Sequence, residues 1–236
     1  MCGEARIQRG LQDTMINQYI MTGCDKNTEW QLPWFVENFN RHCESDLVIV
    51  DFGMTVKMRE YADKKADHVF SVERKGWFSK IEAMHLMKAK FSGSFCWLDT
   101  DCQVLGDIGN IFRYVENNKL TMVVDHPWTT HGSPWTPQSD VGPWYNTGVI
   151  AFEGRPAILD RWLKEVKDAG KHRGDQEAMY SILNESHMNR PMHIVEAPHE
   201  FNVLRIDVSQ ERVPSNPIVM HWTGQKGNEE IRRQMQ

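Results

Sequence analysis

The sequence is organised around the stretch Ser94-Phe95-Cys96-Trp97-Leu98-Asp99-Thr100-Asp101-Cys102-Gln103-Val104. It is typical of a short buried strand that presents a pair of carboxylates at its C-terminal end. Residues i and i+2 of an extended chain project to the same face, so we expect Asp99 and Asp101 to point into one cleft. Adjacent like charges are costly unless a cation lies between them, and such oxygen ligands suit Mg²⁺ or Mn²⁺. Alternatively, the aspartates mark a solvated turn, and the triplet alone favours that interpretation.

The composition predicts a single soluble domain. A chain of 236 residues buries a full core, and its net charge of −5 argues against nucleic acid or an anionic membrane surface as the main partner. The five cysteines form no Cys-x-x-Cys or zinc-ligand spacing, which favours a reduced, cytosolic protein. No apolar run approaches membrane-spanning length, and the first 18 residues lack a signal-peptide apolar stretch. We therefore expect a cytoplasmic protein without a transmembrane segment.

Apolar runs that alternate with helical patterns predict an α/β fold with a mostly parallel central sheet flanked by helices. Strands are expected at 19–22, 47–51, 68–72, within 94–104, and at 120–125, 146–152 and 218–221. Helices are expected at 29–42, 55–65, 78–91, 108–117, 156–169 and 176–186. The predicted boundaries are a flexible N-terminal segment over residues 1–17, a domain over 18–228 and a C-terminal tail over 229–236.

Two loops are candidate binding segments. Ligands of open α/β sheets bind beyond the C-terminal strand ends, so Asp25 and Asn27, after the first strand, are candidate nucleotide contacts. The alternative is helix N-capping by Asn27 or Thr28. The segment His126–Tyr145 carries four prolines and three tryptophans, Trp128, Trp135 and Trp144, and is predicted to be a long ordered loop. Tryptophan faces suit sugar rings, which makes these acceptor-site candidates, although each one alone more often fills an apolar gap.

Four short motifs, taken in their order along the chain, resemble the GT-A glycosyltransferases. After the Leu-Asp-x-Asp of the opening stretch come Asn146-Thr147-Gly148-Val149, Gly174-Asp175-Gln176 and His221-x-x-Gly224. Within that group the sequence is most similar to the glycogenin-like and lipopolysaccharide-galactosyltransferase-like proteins, glycosyltransferase family 8. The resemblance runs from about Tyr19 to Lys226, which is nearly the whole chain.

This resemblance implies a single GT-A (Rossmann-like) domain that transfers a hexose from a nucleoside-diphosphate sugar. The donor is expected to be a UDP-sugar, the acceptor a carbohydrate or another hydroxyl compound, and the anomeric configuration retained. The expected cofactor is Mn²⁺, or else Mg²⁺, because a mixed carboxylate–imidazole ligand set is softer than an all-oxygen one. Gln176 is a poor nucleophile, so a front-face route is favoured over double displacement.

The expected site residues fall into four groups. The expected metal ligands are Asp99, Asp101 and His221. The expected nucleotide contacts are Thr22, Asp25, Asn27, Lys80, Thr100, Gly224 and Lys226. The expected donor-sugar or acceptor contacts are Asp125, Trp128, Trp144, Asn146 and Thr147. The expected catalytic residues are Asp175 and Gln176, which the resemblance places under the transferred sugar.

The residue types leave alternatives open at several of these positions. Asp175 is well placed as a helix N-cap, and a lone histidine such as His221 is more often structural than a ligand. Lys80 opposes the dipole at a helix start unless it closes over an anion, and a solvated lysine is the rival interpretation. The family usually has a lysine six residues after the histidine and then Pro-Trp, whereas Lys226 follows by five and precedes Gly227-Asn228.

Other function classes fit the sequence less well. A nucleotidyltransferase that makes sugar nucleotides normally has a Gly-rich phosphate loop after its first strand, and Gly23-Cys24-Asp25 is not one. A non-catalytic sugar-binding module has no use for a metal–diphosphate constellation. A metal-dependent phosphohydrolase needs more clustered ligand motifs than the chain offers.

Overall fold

The computed structural model describes residues 17–73, 78–125, 143–167, 172, 174–185 and 188–236. The strands of this part are β1 (Gln18–Cys24), β2 (Asp46–Asp51), β3 (His68–Ser71), β4 (Ser94–Leu98), β5 (Cys102–Val104), β6 (Leu120–Asp125), β7 (Trp144–Glu153), β8 (Ile194–Glu196), β9 (Val203–Leu204) and β10 (Val219–His221). The α-helices are α1 (Leu32–His42), α2 (Val56–Lys65), α3 (Ser79–Lys90), α4 (Ala157–Glu165), α5 (Asp175–Leu183), α6 (Arg205–Ser209) and α7 (Gly224–Gln234). Short 3-10 helices span Glu29–Gln31, Ile108–Tyr114, Arg190–Met192 and His199–Phe201.

Seven strands form the central sheet, in the order β3-β2-β1-β4-β7-β6-β8. Strand β7 runs antiparallel to β4 and β6, and the remaining neighbours are parallel. All five residues of β4 are buried, which accounts for its unbroken apolar sequence. A small second sheet has the order β5-β10-β9, and its strand β5 follows β4 in the chain. The predicted α/β class with a mostly parallel sheet is confirmed.

Two apolar clusters fill the two sides of the sheet, as expected for helices on both faces. One cluster contains Trp97 of β4 together with Met84 of α3 and Ile182 of α5. The other contains Leu98 of β4 together with Phe35 of α1. Because successive residues of β4 point to opposite faces, this strand contributes to both clusters and places its C-terminal end between them.

Two predicted helices differ from the structure in kind or in starting point. The prediction of a helix over 108–117 is wrong in type, since Ile108–Tyr114 is a 3-10 helix whose N-cap is Asp107. A seven-residue segment with Gly109 near its start is too short and too flexible to favour an α-helix. The helix expected at 29–42 begins as the 3-10 turn Glu29–Gln31 and then continues as α1.

The last helix crosses position 228, where the sequence prediction ends the domain. Ile231 is fully buried in the cluster that contains Phe35. The guanidinium of Arg232 lies 3.9 Å from the ring centre of Trp30. The indole N–H of Trp34 donates to Gln234 Oε1 at 3.1 Å. The expected tail is therefore helical over most of its length and packs against the domain.

Some expectations fall outside the part that the structure describes. They are the flexible segment, apart from residue 17, and the ordered loop up to residue 142, with Trp128 and Trp135. Within the described ranges, every helix is too short or too polar to cross a bilayer.

Candidate active site

The Asp-x-Asp motif lies in a turn that follows β4. The backbone N–H of Cys102 donates to the carbonyl oxygen of Asp99 at 3.0 Å, so the chain bends back within this segment. The expectation of an extended Asp99–Asp101 segment is therefore wrong. Two further backbone bonds fix the turn: the N–H of Asp99 donates to Gly148 at 2.9 Å, and the N–H of Trp222 donates to the carbonyl of Asp101 at 2.9 Å. The motif is thereby tied to β7 and to the segment after β10.

Asp101 faces the imidazole of His221, the last residue of β10. Nε2 of His221 lies 3.1 Å from Asp101 Oδ1, and only 4% of the histidine is exposed. Nδ1 lies 3.1 Å from Asn202 Oδ1, an acceptor, so Nδ1 carries a proton. Burial alone would lower the pKa of His221, but the carboxylates of Asp101 and Asp99 outweigh it and raise this pKa. Nε2 and the carboxylate oxygen are both electron-rich, so a proton or a cation must lie between them.

Asn146 and Gly148 support this histidine. The side-chain N–H of Asn202 and the backbone N–H of Gly148 both donate to Asn146 Oδ1, each at 2.8 Å. A methyl group at position 148 would overlap the imidazole of His221, so only glycine allows the ring to lie there. Asn146 and Thr147 are buried at 5% and 3% exposure. Asn146 and Gly148 of the Asn-Thr-Gly motif therefore help to orient His221. The expected contact of this motif with the donor sugar stays a prediction.

The Asp101–His221 pair fits a divalent cation. Cis ligand atoms about 2.1 Å from an octahedral ion lie roughly 3.0 Å apart. The observed separation is 3.1 Å. The second nitrogen of the imidazole is hydrogen-bonded to a side chain, as is usual for metal-binding histidines. Cys102 Sγ completes a group of ligand atoms within 4.8 Å of one another, but burial raises the pKa of this thiol well above its usual value. Asp101 and His221 are therefore the better candidate ligands.

Asp99 takes a different partner, the ammonium group of Lys80. Nζ of Lys80 lies 3.0 Å from both oxygens of Asp99, 2.7 Å from Asp175 Oδ2 and 2.8 Å from the carbonyl oxygen of Thr147. The indole N–H of Trp97 also donates to Asp99 Oδ1, at 2.7 Å. Burial disfavours the charged lysine, but the two carboxylates outweigh it and raise the pKa of Lys80.

This ion cluster decides two of the alternatives left open by the sequence. Lys80 is only 7% exposed, so the interpretation as a solvated lysine is wrong. Asp175 does not cap its helix, because Gly174 is the N-cap and Asp175 is the first helical residue. The carboxylate of Asp175 binds Lys80 instead. Lys80 thus joins the Asp-x-Asp turn to the start of α5.

Gln176, the next residue of α5, binds Asp125 at the end of β6. Its side-chain N–H donates to Asp125 Oδ2 at 2.6 Å. Burial raises the pKa of Asp125 to about 6, although hydrogen bonds from Gln176 and Asn146 and the charge of His221 act in the opposite direction. Trp144 pairs with Asp125 across the β6–β7 ladder and contacts Tyr180, with ring centres 4.5 Å apart.

The predicted nucleotide contacts are more widely spread. Thr28 is the N-cap residue of the 3-10 turn, as one of the two alternatives expected, although its side chain makes no capping hydrogen bond. Asp25 Oδ1 accepts from the backbone N–H groups of Asn27 and Thr28 at 2.8 and 3.1 Å. Thr22 is fully buried in β1, and its hydroxyl has no hydrogen-bond partner among the described residues. The hydroxyl of Thr100 donates to Gln31 Oε1 at 2.7 Å.

The first turn of α7 explains the departure from the family pattern. Gly224 and Lys226 are exposed at the start of the helix, whereas Gly227 is buried. A side chain at position 227 would overlap the carbonyl oxygen of Trp222. The family's lysine, six residues after the histidine, therefore cannot be accommodated by this backbone.

Known proteins match this chain by structure but not by sequence. No protein-family model and no curated protein matches the sequence. The galactosyltransferase LgtC, solved with donor and acceptor sugar analogues, superposes with a TM-score of 0.61 and 14% identity over 87% of each chain. The chain therefore has the GT-A fold, which LgtC shares with the two glycosyltransferases described next.

Two larger glycosyltransferases share the fold. The bifunctional WbbM gives a TM-score of 0.63 and 15% identity, over 89% of this chain and 46% of WbbM. GlyE from Streptococcus pneumoniae TIGR4 gives a TM-score of 0.59 and 14% identity, over 89% of this chain and 55% of GlyE. The chain thus spans about half the length of these two proteins, and the predicted resemblance to GT-A proteins is confirmed at the level of the fold.

Sequence analysis missed the residues that hold the site from outside the motifs. Asn202 orients His221, and Gln31 and Asn228 carry a hydrogen-bond chain from Thr100. Asn202 lies in an irregular segment, and Gln31 precedes a helix. The burial of Gln31, at 4% exposure, is a clear signal only once the fold is known.

Proposed function

We propose that this protein is a metal-dependent glycosyltransferase. It moves a hexose from a nucleoside-diphosphate sugar, for which a UDP-sugar is expected, to a carbohydrate or other hydroxyl acceptor. The observation that carries the proposal is the 3.1 Å approach of the Asp101 carboxylate to the buried imidazole of His221. The likeness to solved glycosyltransferases supports it at the level of the fold.

The residues expected to hold the cation are Asp101, His221 and Asp99. A carboxylate offers roughly four acceptor positions, and Lys80 and Trp97 use three of those on Asp99. One position on Asp99 Oδ2 is therefore left for a further cation. Mn²⁺ is preferred over Mg²⁺ because an imidazole belongs to the ligand set. A bound cation would neutralise the negative charge that develops on the departing diphosphate.

Lys80 holds the reacting groups in place rather than acting as a mobile cation. The three protons of its ammonium group have acceptors on the two oxygens of Asp99 and on the carbonyl oxygen of Thr147, and the charge is also paired with Asp175 at 2.7 Å. It would reach a phosphate only by giving up one of these bonds. We therefore assign Lys80 to the positioning of Asp99 and Asp175.

Gln176 is proposed to stabilise the reacting sugar. Because its amide nitrogen donates to Asp125, the carbonyl oxygen is the end directed away from that carboxylate. A carbonyl dipole stabilises the positive charge of an oxocarbenium-like state without forming a bond to it. This arrangement suits a front-face reaction with retention, and NMR analysis of the product anomer tests it: an inverted product would contradict it.

Thermal-shift measurements test the proposed function. We expect a nucleoside diphosphate to stabilise the protein only when Mn²⁺ is present, by about 2.7 kcal/mol at a hundredfold excess over Kd. The ligands are UDP, GDP, CMP and dTDP, each with and without Mn²⁺, followed by a hydrolysis screen with the matching sugar nucleotides. Stabilisation by free glycans without nucleotide would instead indicate a sugar-binding module.

A further inference from the structure

A buried glutamine joins the Asp-x-Asp turn to the last helix. The hydroxyl of Thr100, between the two aspartates, donates to Gln31 Oε1 at 2.7 Å. The amide nitrogen of Gln31 donates to Asn228 Oδ1, in the second turn of α7, at 2.8 Å. Gln31 is 4% exposed, and both ends of its amide are used. Removing one partner would leave a buried polar group unsatisfied, so the three side chains are expected to act as a unit.

This chain of hydrogen bonds lies beside a direct backbone link. Three residues after His221, α7 begins, and the N–H of Trp222 donates to the carbonyl of Asp101 at 2.9 Å. The segment that carries His221 is also joined to the aspartate turn by the antiparallel β5–β10 pairing and by the indole N–H of Trp222, which donates to Gln103 Oε1 at 2.9 Å. Asn228 and Gln31 extend this connection from the strand to the first turns of α7. A shift of α7 against the turn would change the positions of both sets of expected ligands.

Other contacts hold α7 without touching the turn. Arg232 lies over the ring of Trp30, and Trp34 donates to Gln234. These two contacts attach the C-terminal half of α7 to α1 and to the 3-10 turn before it. Gln31 lies between them and the Asp-x-Asp motif, since its amide binds both Thr100 and Asn228.

The connection belongs to this chain and not to the pattern it resembles. Position 228 is where the pattern expects the proline that follows the lysine, and proline has no side-chain acceptor. Here Asn228 supplies one, and Gly227 allows α7 to pass close to the carbonyl of Trp222.

We propose that Gln31 is a positioning residue of the metal–diphosphate site. Through Thr100 and Asn228, it fixes the aspartate turn against the first turns of α7, so that both sets of ligands are presented as one rigid unit. This inference rests on the proposed function. It predicts that Gln31 sets the affinity for metal and diphosphate, although its own side chain contacts neither.

The test compares Gln31→Met with the matched control Trp34→Phe. The first variant keeps the length of the side chain and removes both hydrogen bonds. The second removes the hydrogen bond from α1 to Gln234, near the end of α7, but leaves Thr100 untouched. Three quantities are measured: Mn²⁺ binding alone by electron paramagnetic resonance, UDP binding with Mn²⁺ by calorimetry, and hydrogen exchange in peptides covering 99–104 and 222–228.

For Gln31→Met we expect Mn²⁺ and UDP affinities to fall about tenfold, as for other residues that orient metal ligands. Exchange should rise in both peptides together. For Trp34→Phe we expect a comparable fall in Tm, affinities within about twofold of the wild type, and faster exchange only near the end of α7. If Gln31→Met does not fold, Asn228→Ala removes one link and carries the same expectations with a smaller effect.

A failure of the proposed function and a failure of the inference about Gln31 would give different results. If the wild-type protein binds neither Mn²⁺ nor UDP, the proposed function is wrong, and with it the role of Gln31 at such a site. If the wild type binds both, but Gln31→Met lowers Tm without changing either affinity or the exchange of 99–104, Gln31 is only structural and the inference is overturned. A double variant, Gln31→Met with Asn228→Ala, should bind no more weakly than Gln31→Met, because one chain of bonds is broken in both.

Discussion

Asp99 and Asp101 are separated by one residue, yet their surroundings are opposite. Asp99 is neutralised within the protein by Lys80 and also accepts from Trp97. Asp101 faces Nε2 of an imidazole whose other nitrogen is held by a neutral amide. The comparison teaches that an Asp-x-Asp motif need not be two equal ligands. Here one carboxylate anchors the site to α5, and the other faces an imidazole with which it could share a cation.

The largest effect on stability is expected where Lys80 anchors Asp99. Lys80→Met would leave the half-buried carboxylates of Asp99 and Asp175 without the buried cation that they share. Breaking a buried ion pair by removing one partner costs about 3–5 kcal/mol. Denaturant unfolding should show a loss of this size in the free energy of unfolding. A loss below about 1 kcal/mol, the range of surface ion pairs, would mean that the two aspartates do not differ in the way described.

The next effect is expected at the other aspartate and should appear in activity. Asp101→Asn keeps the size of the side chain and removes the charge that pairs with His221. By analogy with lost electrostatic stabilisation at other active sites, transfer should slow by about 10²–10³-fold. Its free energy of unfolding should change much less than that of Lys80→Met. Steady-state rates and Mn²⁺ titration measure the difference, and a variant with full Mn²⁺ affinity would contradict the assignment.

The next effect is a dependence of stability on pH, and it is expected at Asp125, a third aspartate outside the Asp-x-Asp motif. Burial raises its pKa to about 6 from the ordinary value of 3.8, so between these values the folded protein binds more protons than the unfolded chain. Stability therefore falls as pH rises from about 4 to 6, by up to about 3 kcal/mol, and stays low above that window.

Asp125→Asn should remove this dependence. The free energy of unfolding of the variant should therefore exceed that of the wild type by an amount that grows as pH rises from 4 to 6. The difference should still be present at pH 8. Urea unfolding at several pH values measures it. Parallel curves for the two proteins would show that Asp125 titrates normally.

The smallest effect is expected at Lys226, the exposed cation of α7. Exposed charge pairs contribute about 0.2–1 kcal/mol, so Lys226→Ala should raise the KM for the donor less than about fivefold. The increase should shrink at high salt because exposed charges are screened. A loss comparable to that of Asp101→Asn would show that Lys226 takes over the role of the family's lysine.

The sequence predicts the fold and the motif positions better than it predicts how the site is held together. Strand β6 is predictable with its observed bounds, Leu120–Asp125, because an apolar run with clear ends is a local signal. The turn at Asp99–Asp101 is not predictable in this way, because it depends on bonds to Gly148 and Trp222, far along the chain. The same holds for Lys80, whose partner Thr147 is 67 residues away. Periodicity and spacing report on local structure, whereas these contacts follow from packing.

The measurement closest to the central claim is the anomalous scattering of manganese in crystals soaked with Mn²⁺ and UDP. The account predicts one strong peak between the carboxylate of Asp101 and Nε2 of His221, with the diphosphate completing its coordination. A peak at another position, or nucleotide density with no metal between these two side chains, would contradict it.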